Sequence, residues 1–170
     1  MPEQKISSPE AMQQLAAEVA ATLKGGDVLL LTGDLGAGKT TFTQGIAKAL
    51  GVTEPTTSPT FTIVSEYEVT KHETIKRLVH ADLYRLGAPQ STPARRSLGE
   101  GRVDLYRLDD DTAAHDPAVR DVLGRVSTPG QLTIIEWSEK LGAAAPADAI
   151  RIAFAHGATE NERTVTMTNA

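Results

Sequence analysis

Gly33, Gly38, Lys39 and Thr40 stand at the spacing Gly-x-x-x-x-Gly-Lys-Thr, a combination suited to phosphate. A backbone that wraps around phosphate must turn tightly and approach closely, which glycine permits. Successive amide hydrogens then point inward as an anion nest, and a following helix adds the positive end of its dipole. Lys39 is expected to reach the β and γ phosphates, and the Thr40 hydroxyl to bind magnesium. The expected nucleotide contacts are therefore Asp34, Leu35, Gly36, Ala37, Gly38, Lys39, Thr40 and Thr41, with ATP and Mg2+ as occupants. The bland alternative is a chance glycine-rich turn.

Hydrolysis needs more than a nest. A second carboxylate must face Thr40 to hold magnesium, directly or through water. Leu132-Thr133-Ile134-Ile135-Glu136 delivers an acidic side chain at the carboxyl end of an apolar run, where ligands gather in open α/β sheets. Glu136 is thus the expected metal partner of Thr40, against the alternative of a surface glutamate. Trp137 follows, either at the pocket rim or in ordinary core. Asp82 ends a second short apolar run, Leu78-Val79-His80-Ala81, and two readings stand equally: it orients the attacking water or a metal-bound water, or it is a structural carboxylate. Lys39, Asp82 and Glu136 form the expected catalytic set. His80 shares a strand face with Asp82, but two residues at one spacing are weak grounds for a metal site, and packing or hydrogen bonding is its expected role. Tyr84 and Arg85 read as structural residues or partner contacts. Thr56-Thr57-Ser58-Pro59-Thr60-Phe61 has the character of a loop that senses γ-phosphate, and equally that of a polar turn.

These residues need elements to position them. Ser8 can cap a helix that starts at Pro9 and carries Met12, Leu15, Ala16, Val19 and Leu23 at helical spacing. Gly25-Gly26 should end it. Val28 to Leu31 reads as a strand buried on both faces, and Thr41 to Leu50 as the helix after the phosphate loop. Phe61 to Val69 should be extended, Leu78 to Leu83 and Leu132 to Ile135 should be strands, and Asp116 to Val126 should be a short helix. Ile150, Ile152 and Phe154 alternate as in a half-exposed strand, with Val165 and Met167 marking a hairpin partner. A strand covered on both faces requires layers of helices, so the fold class is α/β, a P-loop NTPase-like sandwich with a central sheet flanked by helices.

The 170 residues suit one domain, 1–170, with a loop insertion near 87–103. The net charge of −5 gives no support for a broad RNA-binding face. There is no cysteine, so neither disulfides nor a thiolate metal site can contribute. Met1 to Ile6 is polar and charged rather than an apolar signal segment, and no apolar run approaches membrane-spanning length. A cytoplasmic protein without membrane contact is the expectation. Asp82-Leu83-Tyr84-Arg85-Leu86 recurs as Asp104-Leu105-Tyr106-Arg107-Leu108, a local duplication too short to be a solenoid.

Taken in order, Gly33 to Thr41, Ser58 to Phe61, His80 to Leu86 and Ile135-Glu136-Trp137 resemble the bacterial TsaE family, formerly called YjeE, over roughly residues 6–156. The phosphate loop alone is common to very many proteins, whereas the four blocks together are much more specific. The resemblance implies a small ATPase that supports formation of N6-threonylcarbamoyladenosine at position 37 of tRNAs reading codons that begin with A. It further implies binding to a complex of TsaD and TsaB, with tRNA met indirectly through that complex. By the same resemblance Thr60 faces the nucleotide in a switch-like loop, and Asp82 is the catalytically important carboxylate. The family usually places fewer residues between the aspartate block and the Glu-Trp block, which favours Asp104; the His80 position and the apolar lead-in favour Asp82, which is preferred. A small-molecule kinase using Arg95 and Arg96 in a lid, and a nucleotide-dependent interaction module, are the alternatives. The Asn-Lys-x-Asp signature for guanine is absent, which disfavours a GTPase.

Overall fold

The computed structural model describes residues 3–59, 63–85 and 116–168. Thr60, Phe61, the segment 87–103, the second copy of the repeat, and Arg95 and Arg96 lie outside the described residues.

The first helix, α1 (Pro9–Ala20), begins as its sequence dictates: the Ser8 side chain accepts from the Ala11 amide at 3.2 Å, and proline occupies the first turn. It ends before Gly25-Gly26, at Ala20, just where the Thr22 hydroxyl donates to the Val19 carbonyl at 2.8 Å. β1 (Gln4–Ile6) precedes it, in a stretch whose polar character gives no strand signal. β2 (Val28–Thr32) leads to the phosphate loop, and α2 (Lys39–Ala49) follows it, starting at the lysine rather than at Thr41. β3 (Val64–Glu68) covers part of the expected extended run, of which Phe61 and Thr62 lie outside the described residues, and Ile63 adopts a left-handed backbone, φ 67°, immediately before the strand. β4 (Arg77–Asp82), α3 (Pro117–Gly124, capped by Asp116), β5 (Gln131–Glu136), β6 (Ile150–His156) and β7 (Arg163–Thr168) complete the regular elements, with 3-10 turns over Ser138–Ala144.

The seven strands form one sheet in the order β1-β7-β6-β2-β5-β4-β3. β6, β2, β5 and β4 are mutually parallel, with antiparallel strands outside them on both sides. This is an α/β fold with a mixed central sheet flanked by helices. β2 has a distinct partner on each face. Leu29 and Leu31 pack with α1 and α2, while Val28 and Leu30 pack with Val119 and Val122 of α3 and with Leu141. Leu29, Leu30 and Leu31 are at most 1% exposed, and each such burial contributes about 1.5–3 kcal/mol. The two helices on the first face lie close together: a Cβ at Gly45 of α2 would stand 2.6 Å from the Ala16 Cβ of α1. No described helix is long and apolar enough to cross a membrane.

Candidate functional site

Parallel strands bring their carboxyl ends to one side of a sheet, which is where α/β proteins collect their ligands. Here β2 ends in the phosphate loop, β4 ends at Asp82, β5 ends at Glu136 and β6 ends at His156. Asp82 and Glu136 are direct register partners. Strand alternation then sets their direction. Leu78 of β4 and Leu132 and Ile134 of β5 belong to the core on the α1–α2 face. His80, Asp82 and Glu136 share their parity, so three polar side chains continue that face to the base of α2. All three are buried, between 0% and 4% exposed.

The Thr40 hydroxyl donates to Glu136 Oε2 at 3.0 Å. The other oxygen, Glu136 Oε1, lies 2.8 Å from His80 Nε2. A carboxylate only accepts, so Nε2 carries the shared proton. His80 Nδ1 has no partner among the described residues, which suits a bare ring nitrogen better than a second buried N–H. His80 thus fixes the carboxylate that faces Thr40, the kind of support a metal-site carboxylate uses. Asp82 Oδ1 accepts from the Tyr84 amide at 2.8 Å, and Asp82 Oδ2 accepts from the Ser58 hydroxyl. The Ser58 loop is in turn tied to α2, because Gln44 Nε2 donates to the Thr56 carbonyl at 2.9 Å.

Lys39 is 4% exposed. Its ammonium donates to the Gly33 carbonyl at 2.6 Å and the Asp34 carbonyl at 2.9 Å, and lies 3.9 Å from the centre of the Trp137 ring. Trp137 reaches that position through a left-handed backbone, φ 58°, an uncommon conformation for a bulky residue. Its ring also packs on Tyr84, centre to centre at 5.0 Å. Trp137 is therefore a wall of the cleft that also contains Lys39, Thr40, Ser58, Asp82, Tyr84 and Glu136. The Lys140 ammonium donates to the Tyr84 carbonyl and anchors that wall from below.

Burial lowers the Lys39 pKa from its ordinary 10.5, opposed by the charges of Glu136, Glu139, Asp82 and Asp34. Burial also raises that of Glu139. For Lys39 the folded value lies below the unfolded one. The buried charge thus costs stability at neutral pH, and that cost is relieved as pH rises from the folded toward the unfolded value. An anion that needs the charge is lost over the same interval. Titration of a fluorescent ADP analogue from neutral pH upward should show affinity falling before the ordinary lysine range, while Lys39→Arg should stay flat. Equal pH profiles for the two proteins would exclude Lys39 as the titrating contact.

The arrangement fits a nucleotide with its magnesium. The amides at the start of α2 have no acceptor within the helix, and Gly36, Gly38 and Thr41 border the same cleft. Thr40 and Glu136 together offer oxygen ligands, which magnesium prefers, typically from few protein groups with phosphate and water completing the shell. Among the described residues no three His, Cys, Asp or Glu side chains converge as a closed cage. Of the residues singled out from sequence, Lys39, Thr40, Ser58, Asp82 and Glu136 come together, whereas Thr60 lies outside the described residues. The roles of His80 as carboxylate support and of Trp137 as a wall emerge from tertiary geometry, as does the influence of the Glu139 charge on Lys39.

Comparison with known proteins gives a consistent picture. The profile of a family described as threonylcarbamoyl adenosine biosynthesis protein TsaE matches residues 6–98. A Bacillus subtilis protein named tRNA threonylcarbamoyladenosine biosynthesis protein TsaE is 51% identical over 79 residues, 46% of this chain and 48% of that protein. A protein of the same name from Aquifex aeolicus is 51% identical over 83 residues, 48% of this chain and 59% of its own. The chain thus spans about half the length of these two relatives. A third of that name, from Rickettsia bellii, is 34% identical over 148 residues, 86% of this chain and 81% of its own. The crystal structure of Bacillus subtilis YdiB superposes with a TM-score of 0.66 at 28% identity, covering 99% of this chain and 84% of that one.

Proposed function

The chain belongs to the TsaE family, and from that premise we propose that it is a magnesium-dependent ATPase acting in tRNA threonylcarbamoyladenosine biosynthesis. In this reading it binds a complex of TsaD and TsaB homologues and meets tRNA only through that complex. The observation that carries the enzymatic part is the 3.0 Å contact between the Thr40 hydroxyl and Glu136 beside the Lys39 ammonium. A hydroxyl at the start of the phosphate-loop helix and a carboxylate from a neighbouring strand end are the protein's two contributions to a magnesium site in nucleotide hydrolysis.

The residues divide the work by charge and position. The phosphate-loop amides and the α2 dipole bind the phosphate oxygens, and Lys39 neutralises charge at the β and γ positions. Thr40 and Glu136 would hold magnesium, which would supply positive charge to offset the charge developing on the phosphate. Asp82, held by Ser58 and by the Tyr84 amide, orients the attacking water. The water oxygen bonds to the γ phosphorus, the bond to the ADP oxygen breaks, and a proton leaves as phosphate is released. Trp137 and Tyr84 narrow the water-accessible side of the cleft.

Asp82→Asn keeps the size of the side chain and its acceptor for the Tyr84 amide, so the fold should be retained. Turnover should fall about a hundredfold, the lower end of the range in which a positioned acid or base acts. Asp104→Asn should have little effect on phosphate release. Parent-like turnover of Asp82→Asn would overturn this assignment.

The test of the whole reading is phosphate release by the full chain with and without the TsaD–TsaB complex, against Lys39→Ala. Weak release alone, raised by the complex, supports it. Release at the level of Lys39→Ala in both conditions sinks it and leaves a nucleotide-dependent interaction module. Labelled γ-phosphate appearing on a metabolite rather than in water would favour the kinase alternative.

A further inference from the structure

Four consecutive carbonyls of the phosphate loop have side-chain donors, and the donors come from opposite sides. The Gly33 and Asp34 carbonyls accept from Lys39. The Leu35 carbonyl lies 3.1 Å from His156 Nε2, at the end of β6. The Gly36 carbonyl accepts from Arg163 Nε at 3.1 Å, at the start of β7. Arg163 is itself held at the hairpin, since its NH1 donates to the Glu160 carbonyl at 2.6 Å and the Glu162 carbonyl at 2.8 Å. His156 and Arg163 are register partners across the two strands, so the hairpin end presents both donors side by side.

We infer that Arg163, supported by His156, is a positioning residue that keeps the phosphate loop in its anion-accepting form. The inference rests on the proposed nucleotide site. An inward carbonyl would repel phosphate, whereas an inward amide attracts it. A peptide bond is planar and trans, so drawing the Leu35 carbonyl toward the hairpin turns the Gly36 amide hydrogen the opposite way. Arg163 holds the next carbonyl, and Ala37 then closes the turn by donating to the Asp34 carbonyl at 3.2 Å. Lys39 cannot perform this task alone. Two of its three N–H donors lie on the Gly33 and Asp34 carbonyls, so directing more than one of them to phosphate withdraws a loop contact at the moment when the loop must keep its shape. A guanidinium on the hairpin does not face that competition, and it stays charged at every physiological pH. Gly33 reinforces the same contact: its position leaves no room for a side chain against the Phe154 carbonyl of β6.

The test uses the full chain as Arg163→Ala and Arg163→Lys, with two readouts. Without nucleotide, amide exchange over residues 33–38 should quicken about fivefold or more in Arg163→Ala, while β2 and β5 keep their protection. With nucleotide, affinity for a fluorescent ADP analogue should weaken about tenfold, the scale of a lost charged hydrogen bond. KM for ATP should rise more than kcat falls. Arg163→Lys retains one donor and the charge, and should recover part of both effects. Unchanged exchange over 33–38 in folded Arg163→Ala overturns the inference, as does parent-like ADP affinity with a general loss of hairpin protection. If the parent chain itself fails to bind nucleotide, the ATPase reading fails, and the exchange readout still decides whether Arg163 holds the loop.

Discussion

Glu136→Gln should retain the nucleotide and lose its hydrolysis, with turnover down about a hundredfold or more, the scale on which removing one preorganised electrostatic partner acts. The physical reason lies in what the substitution keeps. Glutamine fills the same volume between Thr40 and His80, so the packing around the buried Glu136 and His80, 2% and 0% exposed, is undisturbed. It still presents one oxygen as an acceptor, for either the Thr40 hydroxyl or His80 Nε2. It removes a full negative charge from a buried place where charge is weakly screened. In the proposed reading, phosphate binding depends chiefly on the loop amides and Lys39, and loses nothing directly. Magnesium loses a carboxylate ligand. Phosphate release in the presence of the TsaD–TsaB complex measures the first effect, and binding of a fluorescent ATP analogue with and without magnesium measures the second. Parent-like turnover in Glu136→Gln would remove Glu136 from the metal site and return the search to Glu139 and Asp82.

Gly33→Ala should be the most damaging glycine-to-alanine change among the described residues. Gly33 has φ 131°, and a Cβ there would stand 2.2 Å from the Phe154 carbonyl oxygen. Both faults act together. The backbone region is one that side chains rarely adopt, and the obstructing atom belongs to the backbone of a core strand that cannot swing aside. The loop must then rearrange, and with it the Gly33 carbonyl that accepts from Lys39. Loss of about 2–4 kcal/mol of stability is expected, in the class of overpacking combined with backbone strain. Nucleotide affinity should fall below detection. Urea denaturation and analogue binding would measure the two. Gly26→Ala is the informative control, because Gly26 has positive φ, 107°, but open space around its missing Cβ. It should lose stability from backbone strain alone and keep nucleotide affinity. Equal loss of affinity in both variants would mean that the contact with Phe154 does not shape the loop.

The two predictions draw on different levels of information. The loop at Gly33–Thr40 is legible locally, because glycines between an apolar run and an amphipathic stretch mark the turn from strand to helix, and β2 and α2 flank it. The helix caps at Ser8 and Asp116 are legible for the same reason: a short polar side chain before proline bonds to amides a few residues on. The alternation of Ile150, Ile152 and Phe154 announces a strand with one buried face, and β6 has that burial. β1 carries no such signal, because three residues at an edge are too few to show a period. Neither the left-handed backbone of Ile63 nor that of Trp137 is visible in residue type, since β-branched and aromatic residues ordinarily avoid it.

By itself, then, the sequence determined a Gly-x-x-x-x-Gly-Lys-Thr loop, the strand and helix around it, an α/β architecture and the family. Those are properties of short windows and of blocks in fixed order. Only the tertiary structure decided that β5 lies directly beside β2, which puts Glu136 within hydrogen-bonding distance of Thr40. It alone decided that β4 follows β5, which sets Asp82 next in line, and that the β6–β7 hairpin holds two loop carbonyls from outside. The reason is physical. Strand order and register are chosen by burial of both sheet faces at once, a sum over residues far apart in the chain, and no local pattern records which carboxyl ends will be neighbours.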